Sequence, residues 1–505
     1  MHEVVIVGSG FGGLCMGARL KEAGINNFVI LEKDEALGGT WRVNHYPGAA
    51  CDVPSHLYSF SFAQNADWTR KFPPRDELWA YTQRVAEELG LVPHVRLNTA
   101  LEGAEYDEAR GGWTIRTSQG TLSSRLLVTS VGALGRPSIP KLPGLESFSG
   151  KMFHSSQWDH DYDLRGKRVA VVGTGASAIQ FVPEIVGKVA HLDLYQRTPP
   201  WILPRPDRRI TGFERWLLAN VKPLQWLYRG LQYLQYETRF LSFSAMPRLN
   251  ALAQRQAMRH LRRQVPDNPA LRARLTPDYR IGCKRILLMN DYYPAVRQPH
   301  VDVLTCGIQE IRPNGILGRD GVERPVDAIL FGTGFDVEHA LGPIDVRGRD
   351  GVSLRERANG GLEAYKGCTI AGFPNFFMIT GPNTGLGHNS MIYMIESGVN
   401  YVMDAIHTMR RNGYRTVEVR ADVQARYNEG IQKRLKGTVW NSGCKSWYLA
   451  ANGKNHTLWP GFAIAYHWIT RRFDTDSYCI APNVDHDVAP CATQPSKQEF
   501  RGYVR

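Results

Sequence analysis

The first hydrophobic segment, Val4-Val5-Ile6-Val7, is apolar without alternation, and such a run predicts a parallel strand buried on both faces. Gly8-Ser9-Gly10-Phe11-Gly12-Gly13 then predicts a tight turn, Leu14 to Ala23 has helical composition, and a second apolar strand, Phe28 to Leu31, ends at Glu32. This is a βαβ unit, and it recurs. Arg168 to Val172 predicts a strand, Gly173-Thr174-Gly175-Ala176-Ser177-Ala178 a turn, Ile179 to Val186 a helix, and Leu192 to Tyr195 the next strand. The expected fold is therefore α/β with two Rossmann-like dinucleotide-binding domains.

Between the units, Leu126 to Gly132 predicts a strand ending in small residues, and the Pro-rich stretch Arg136 to Pro143 predicts a domain boundary. A comparable strand, Ala328 to Phe331, ends in Gly332-Thr333-Gly334-Phe335, so the chain is expected to re-enter the first domain there. The expected division is 1–145 for the first part of one domain, 146–325 for a second domain inserted in it, 326–475 for the return and 476–505 for a tail. The tail is polar and without periodicity, which predicts an extended or poorly ordered segment. Within the insert, 212–264 has helical composition interrupted by Pro223 and Pro247, and its stripe of Trp216, Trp226, Tyr228, Tyr233, Tyr236 and Phe240 reads as core. A substrate-tunnel wall or a membrane-surface helix is the alternative, because Arg255, Arg259, Arg262 and Arg263 follow closely.

Charge narrows this only slightly. The 505 residues carry 61 Lys and Arg against 48 Asp and Glu, a net charge of +13, which suits an anionic cofactor as well as a nucleic acid. No nucleic-acid-binding motif accompanies it, so no nucleic-acid partner is expected. The eight cysteines are scattered with no CxxC pair, which predicts neither a metal site nor a redox dithiol and fits a reducing compartment. With no basic leader and no span of about 20 apolar residues, the expectation is a cytoplasmic protein without a transmembrane segment.

Gly8, Gly10 and Gly13 lie between a strand and a helix, with Glu32 at the end of the next strand, which is the setting of a dinucleotide-binding turn. Glycines let helix N-terminal amides approach a pyrophosphate, and a carboxylate at Glu32 can accept from a ribose. The second turn repeats this with Gly173, Gly175 and Ala178, but its following strand leads to Arg197-Thr198 where an NAD unit would present an acid. A guanidinium pairs with a 2′-phosphate, so NADP(H) is the expected second cofactor. Two units suggest a flavin reductase framework carrying FAD. The absence of a close cysteine pair turns its electrons towards dioxygen and a monooxygenase reaction.

The stretch Phe148-Ser149-Gly150-Lys151-Met152-Phe153-His154-Ser155-Ser156-Gln157-Trp158-Asp159 resembles the FxGxxxHxxxW(P/D) fingerprint of type I Baeyer–Villiger monooxygenases. Gly39, Trp41, Tyr46, Pro47, Gly48 and Asp52 resemble a second signature of that family, GxWxxxx(F/Y)PGxxxD. The resemblance extends to about residue 475 and implies an FAD domain interrupted by an NADP domain. It implies insertion of one oxygen atom of O2 beside a ketone carbonyl to give an ester or lactone, at the expense of NADPH. N- or S-oxygenation on the same scaffold, or a non-catalytic flavin-binding role, is the alternative. The resemblance further implies Arg285 and Asp52 as catalytic residues and Gly39, Thr40, Trp41, Asp52 and Tyr58 as flavin contacts. Lys284 becomes a cofactor-phosphate contact, and Trp447, in Lys445-Ser446-Trp447-Tyr448, lies on a mobile loop that folds over the nicotinamide cofactor.

The residue types fit that chemistry on their own terms. An oxygen nucleophile that must remain anionic needs a cation beside it, and an arginine is charged at every working pH. Asp52 can hold that guanidinium; a structural ion pair is the alternative reading. Phe148, Gly150, His154, Trp158 and Asp159 read as a structural or hinge motif rather than direct catalysts. His388 precedes the helical run Met391 to His407, whose first amides could face an anionic flavin ring, or it is a turn histidine.

Overall fold

The computed structural model describes residues 1–482 apart from 245, 338–341, 343, 445 and 451. Its first sheet has seven strands in the order Asp345–Arg347, Leu101–Asp107, Gly112–Thr117, Gly120–Thr129, His2–Val7, Phe28–Leu31 and Val95–Arg96, with Phe376–Met378 added beside Gly120–Thr129. The strand His2–Val7 pairs in parallel with both neighbours, Val5 facing Val29 on one side and Leu127 on the other. Its unbroken apolar run is explained by burial on two faces. Val4 and Ile6 pack with Leu14 and Ile392 from the helices Phe11–Glu22 and Met391–Asn412, while Val5 and Val7 pack with Trp113 and Phe376.

The second sheet is wholly parallel, in the order Val301–Leu304, His191–Tyr195, Arg168–Val172, Ala328–Phe331 and Lys151–His154. This corrects the expected point of return. Ala328–Phe331 belongs to the second sheet, where Leu330 faces Val171 and Phe153, and not to the first. An apolar strand ending in glycines satisfies either Rossmann sheet, and strand composition does not say which neighbour it will pair with.

The region 212–264 is helical as expected, in the segments Gly212–Asn220, Lys222–Glu237, Phe240–Ser244 and Pro247–Gln264, with Pro223 and Pro247 in first turns, where a missing amide costs nothing. The core reading of its aromatic stripe needs correction. Tyr236 and Phe240 are buried, but Trp216 and Trp226 are more than half exposed. The tail is also corrected at its start: Tyr478–Pro482 is a strand pairing antiparallel with Tyr414–Val419, and Tyr478 and Ala481 are buried. Its remainder, from 483, lies outside the described residues. No described helix is long and apolar enough to cross a membrane.

Candidate active site

Close backbone approach explains the first glycine-rich turn. Gly8 sits at φ +99°, and a Cβ on Gly13 would lie 1.9 Å from the Gly8 carbonyl oxygen, so the helix packs directly on the strand's end. Gly10 and Gly39 stand back to back, since a Cβ on Gly39 would come within 2.8 Å of Gly10 Cα. No side chain caps the helix Phe11–Glu22, which leaves its first amides to an anionic ligand. Glu32 is buried at the end of the next strand, its Oε2 accepting from the Ser9 amide at 3.0 Å and hydroxyl at 2.5 Å, and its Oε1 from the Asp34 amide at 3.1 Å. A carboxylate offers about four lone-pair sites, so ribose hydroxyls still find acceptors there. Beyond it opens a cleft of about 440 Å³ bordered by residues 33–36, Arg42, Arg75 and Trp79. Thr40 begins the short helix Thr40–Val43, and Trp41 Nε1 donates to the Tyr58 hydroxyl at 3.3 Å. A bare, donor-rich cradle with an acid at the strand end fits FAD.

The second turn is backed in the same way by the strand beside it. A Cβ on Gly173 would meet the Gly332 carbonyl oxygen at 2.5 Å, and one on Gly332 would meet Ala178 Cβ at 2.9 Å. The small residue at position 178 is thus set by packing on the Ala328–Phe331 strand end. Arg197 is exposed just beyond the strand His191–Tyr195, beside Thr198, whose carbonyl accepts from Thr174. Burial and the nearby Arg197 both push Lys284 below the ordinary lysine range. Among the described residues neither cation has a carboxylate within ion-pair distance. Asp278 acts on Lys284 only from beyond ion-pair distance, and two neighbouring cations with no carboxylate bonded to either fit a bound phosphate, as NADP(H) would supply.

Arg285 and Asp52 meet where the two units face each other. Arg285 precedes the short strand Leu287–Leu288, which pairs with Ile202–Leu203, and Asp52 ends the Tyr46-Pro47-Gly48 segment of the first unit. The guanidinium Nη2 donates to Asp52 Oδ2 at 2.6 Å, and 43% of the Arg285 side chain remains accessible. The Asp52 charge pushes the arginine further above its already high range. Burial raises Tyr46, Tyr58 and Tyr448, so the hydroxyls near the pair stay protonated at any working pH.

The motif residues of 148–159 span a strand, a single turn and the loops beside them. His154 ends the strand Lys151–His154, a single 3-10 turn follows, and Trp158 packs between Phe153 and Phe181. Gly150 allows a close approach to the Asp327 carbonyl, Phe148 is buried, and Asp159 pairs with Lys151 at 2.6 Å. His154 Nδ1 accepts from the Ser156 amide at 3.2 Å, and burial lowers its pKa to about 4. It is a neutral, enclosed histidine. His388 is buried too, with Nε2 3.5 Å from Glu237 Oε2.

Two features escaped the sequence reading. Gln180, in the otherwise apolar start of the helix Ala178–Ile185, accepts from the Tyr46 hydroxyl at 2.9 Å and donates to the Ala50 carbonyl at 2.9 Å. A lone amide within Ala178-Ile179-Gln180-Phe181-Val182 was the available signal. The second is a disulfide between Cys283 and Cys444, which the scattered spacing and the expectation of a reducing compartment did not anticipate. It ties the segment holding exposed Trp447 and buried Tyr448 to the residue before Lys284, two positions from Arg285. Cys15 and Cys51 remain free and buried, and burial pushes both thiols up, away from thiolate redox chemistry.

Residues 5–211 match the family described as "Pyridine nucleotide-disulphide oxidoreductase". A Baeyer-Villiger monooxygenase of Pseudomonas aeruginosa is 52% identical over 479 residues, spanning 94% of this chain and 91% of its own. One from Streptomyces coelicolor is 48% identical, spanning 95% and 93%. Among solved structures, an oxidized steroid monooxygenase bound to NADP superposes with a TM-score of 0.84 at 30% identity, over 95% of this chain and 99% of its own. Cyclohexanone monooxygenase from Rhodococcus sp. Phi1 bound to NADP+ gives 0.85 at 26% identity, over 95% and 99%.

Proposed function

The chain belongs to the Baeyer–Villiger monooxygenases, FAD- and NADPH-dependent enzymes, and from that membership we propose that Arg285, held by Asp52, is the cation at which a ketone is oxygenated. The observation that carries the reading is the 2.6 Å pair between residues of the two nucleotide units, with much of the guanidinium left accessible. When bound, FAD supplies the acceptance of two electrons from NADPH and the activation of dioxygen.

The chain's own residues do the rest. The first glycine turn and Glu32 hold the flavin nucleotide, and the second turn with Arg197 and Lys284 holds the nicotinamide nucleotide by its phosphates. Arg285 stabilises negative charge developing on the ketone carbonyl oxygen, and one such preorganised donor is worth about 100- to 1000-fold in rate. Asp52 fixes the guanidinium's direction. The nearby tyrosine hydroxyls stay protonated and take no proton from the site. The products are an ester or lactone, and the small-molecule partners are a ketone and O2.

The experiment is a panel of cyclic, aromatic and long-chain ketones with one sulfide and one amine, each incubated with NADPH and oxygen. Esters or lactones from ketones are expected. Products confined to sulfoxides or N-oxides would overturn the reading.

A further inference from the structure

The helix Lys222–Glu237 is turned inside out. Four of its polar residues face the protein: Gln225, Arg229, Gln232 and Glu237 are buried, while Lys222 and Gln235 are exposed. They are anchored there, because Arg229 Nη1 donates to the carbonyls of His56 at 2.7 Å and Ser59 at 2.8 Å, while Glu237 accepts from Asn389 and the Ile464 amide. Those anchors fix the helix's rotation, so the opposite face must point outwards, and it carries Trp226, Leu227, Leu231 and Leu234, each more than half exposed. The preceding helix continues the surface with Phe213 and Trp216, whose rings lie 6.2 Å apart. A contiguous apolar surface of this kind marks an interaction site.

We propose that this face docks on an anionic lipid bilayer surface. From residue 215 to residue 266 the chain has nine Lys and Arg and a single carboxylate, Glu237, which is buried. Lys222 and Arg239 flank the apolar face, and exposed Arg255, Arg259, Arg262 and Arg263 follow on the helix Pro247–Gln264. Apolar Trp and Leu beside unopposed cations are what an interfacial helix presents to acyl chains and anionic headgroups. A second copy of this chain would bring like charges together across a two-fold axis, whereas headgroups supply the missing anions.

The test is flotation of the full-length, FAD-loaded protein with phosphatidylcholine vesicles, with and without phosphatidylglycerol. The variant is W226S/L231S/L234S, whose three side chains are each more than half exposed. Flavin content and NADPH oxidation, expected to be unchanged, report its folding. The expected result is flotation with phosphatidylglycerol vesicles, weaker with phosphatidylcholine alone, and a loss of at least about tenfold in partitioning for the variant. Absence of flotation by the wild type, or equal flotation by the variant, would overturn the proposal. So would sedimentation velocity giving a dimer for the wild type and a monomer for the variant, because a second copy would then be the occupant.

Discussion

Tyr46 and Gln180 lie 134 positions apart in the chain, yet the tyrosine hydroxyl donates to the Gln180 side-chain oxygen at 2.9 Å. With the Ala50 amide and carbonyl also bonded to Gln180, this one amide couples the second nucleotide unit to the segment ending at Asp52. Gln180→Leu keeps the helix apolar but leaves those groups unpaired, at about 1–3 kcal/mol for each buried one. The expected outcome is unchanged flavin content with less ester formed per NADPH consumed. An unchanged product-to-NADPH ratio would reduce Gln180 to a purely structural contact.

Arg197→Ala is expected to raise the KM for NADPH and leave that for NADH nearly unchanged. One charge-assisted phosphate contact is worth about 1.5–3 kcal/mol, or roughly 10- to 150-fold. Steady-state kinetics with both cofactors checks it. Full retention of NADPH preference would move the phosphate contact to Lys284.

The disulfide predicts a redox effect on cofactor capture. Cys283 adjoins Lys284, and Cys444 starts the segment leading to Trp447, so Cys444→Ser or reduction frees that segment from the neighbourhood of Lys284, the proposed phosphate contact. A weaker Kd for NADP+ is expected, together with a loss of about 2–4 kcal/mol in unfolding free energy. Calorimetric titration of oxidised and reduced protein measures the first, and equal affinities would contradict it.

His154 predicts acid sensitivity. Its folded pKa is about 4 because burial disfavours the charged ring, while an unfolded histidine titrates near 6.5. Between these values the unfolded chain binds a proton that the folded protein does not. This contribution is therefore fully present above about pH 6.5 and is lost as the pH falls towards 4, by up to about 3 kcal/mol. His154→Gln should lessen the drop in denaturant midpoint between about pH 7.5 and about pH 5. An identical drop would place the sensitivity elsewhere, with buried His56 next in line, since its pKa is also lowered to about 4.

Features set by neighbouring residues were legible along the chain, and those set by distant partners were not. The two glycine turns and the positions of Glu32 and Arg197 just past their strands could be read because each needs only its own strand, turn and helix. Arg285 and Asp52 are 233 positions apart and were brought together only by family resemblance. The Cys283–Cys444 bond spans 161 positions and left no local trace. The strand Ala328–Phe331 was given to the wrong sheet because an apolar run carries no address for its partner. The helix Lys222–Glu237 was read as core because its rotation is set by carbonyls of residues 56 and 59 and by Asn389, which periodicity does not see.

We propose that Arg285 supplies the positive charge for ketone oxygenation. The most direct test is the rate of ester formation by FAD-loaded Arg285→Ala, measured against wild type with the same ketone. Asp52 stays in place, and the glycine turns that hold the nucleotides are untouched, so flavin content should match wild type. NADPH oxidation can continue without product. Ester formation is expected to fall at least about 100-fold. Ester formed at near wild-type rate by the flavin-loaded variant would remove Arg285 from the mechanism, and Asp52 with it.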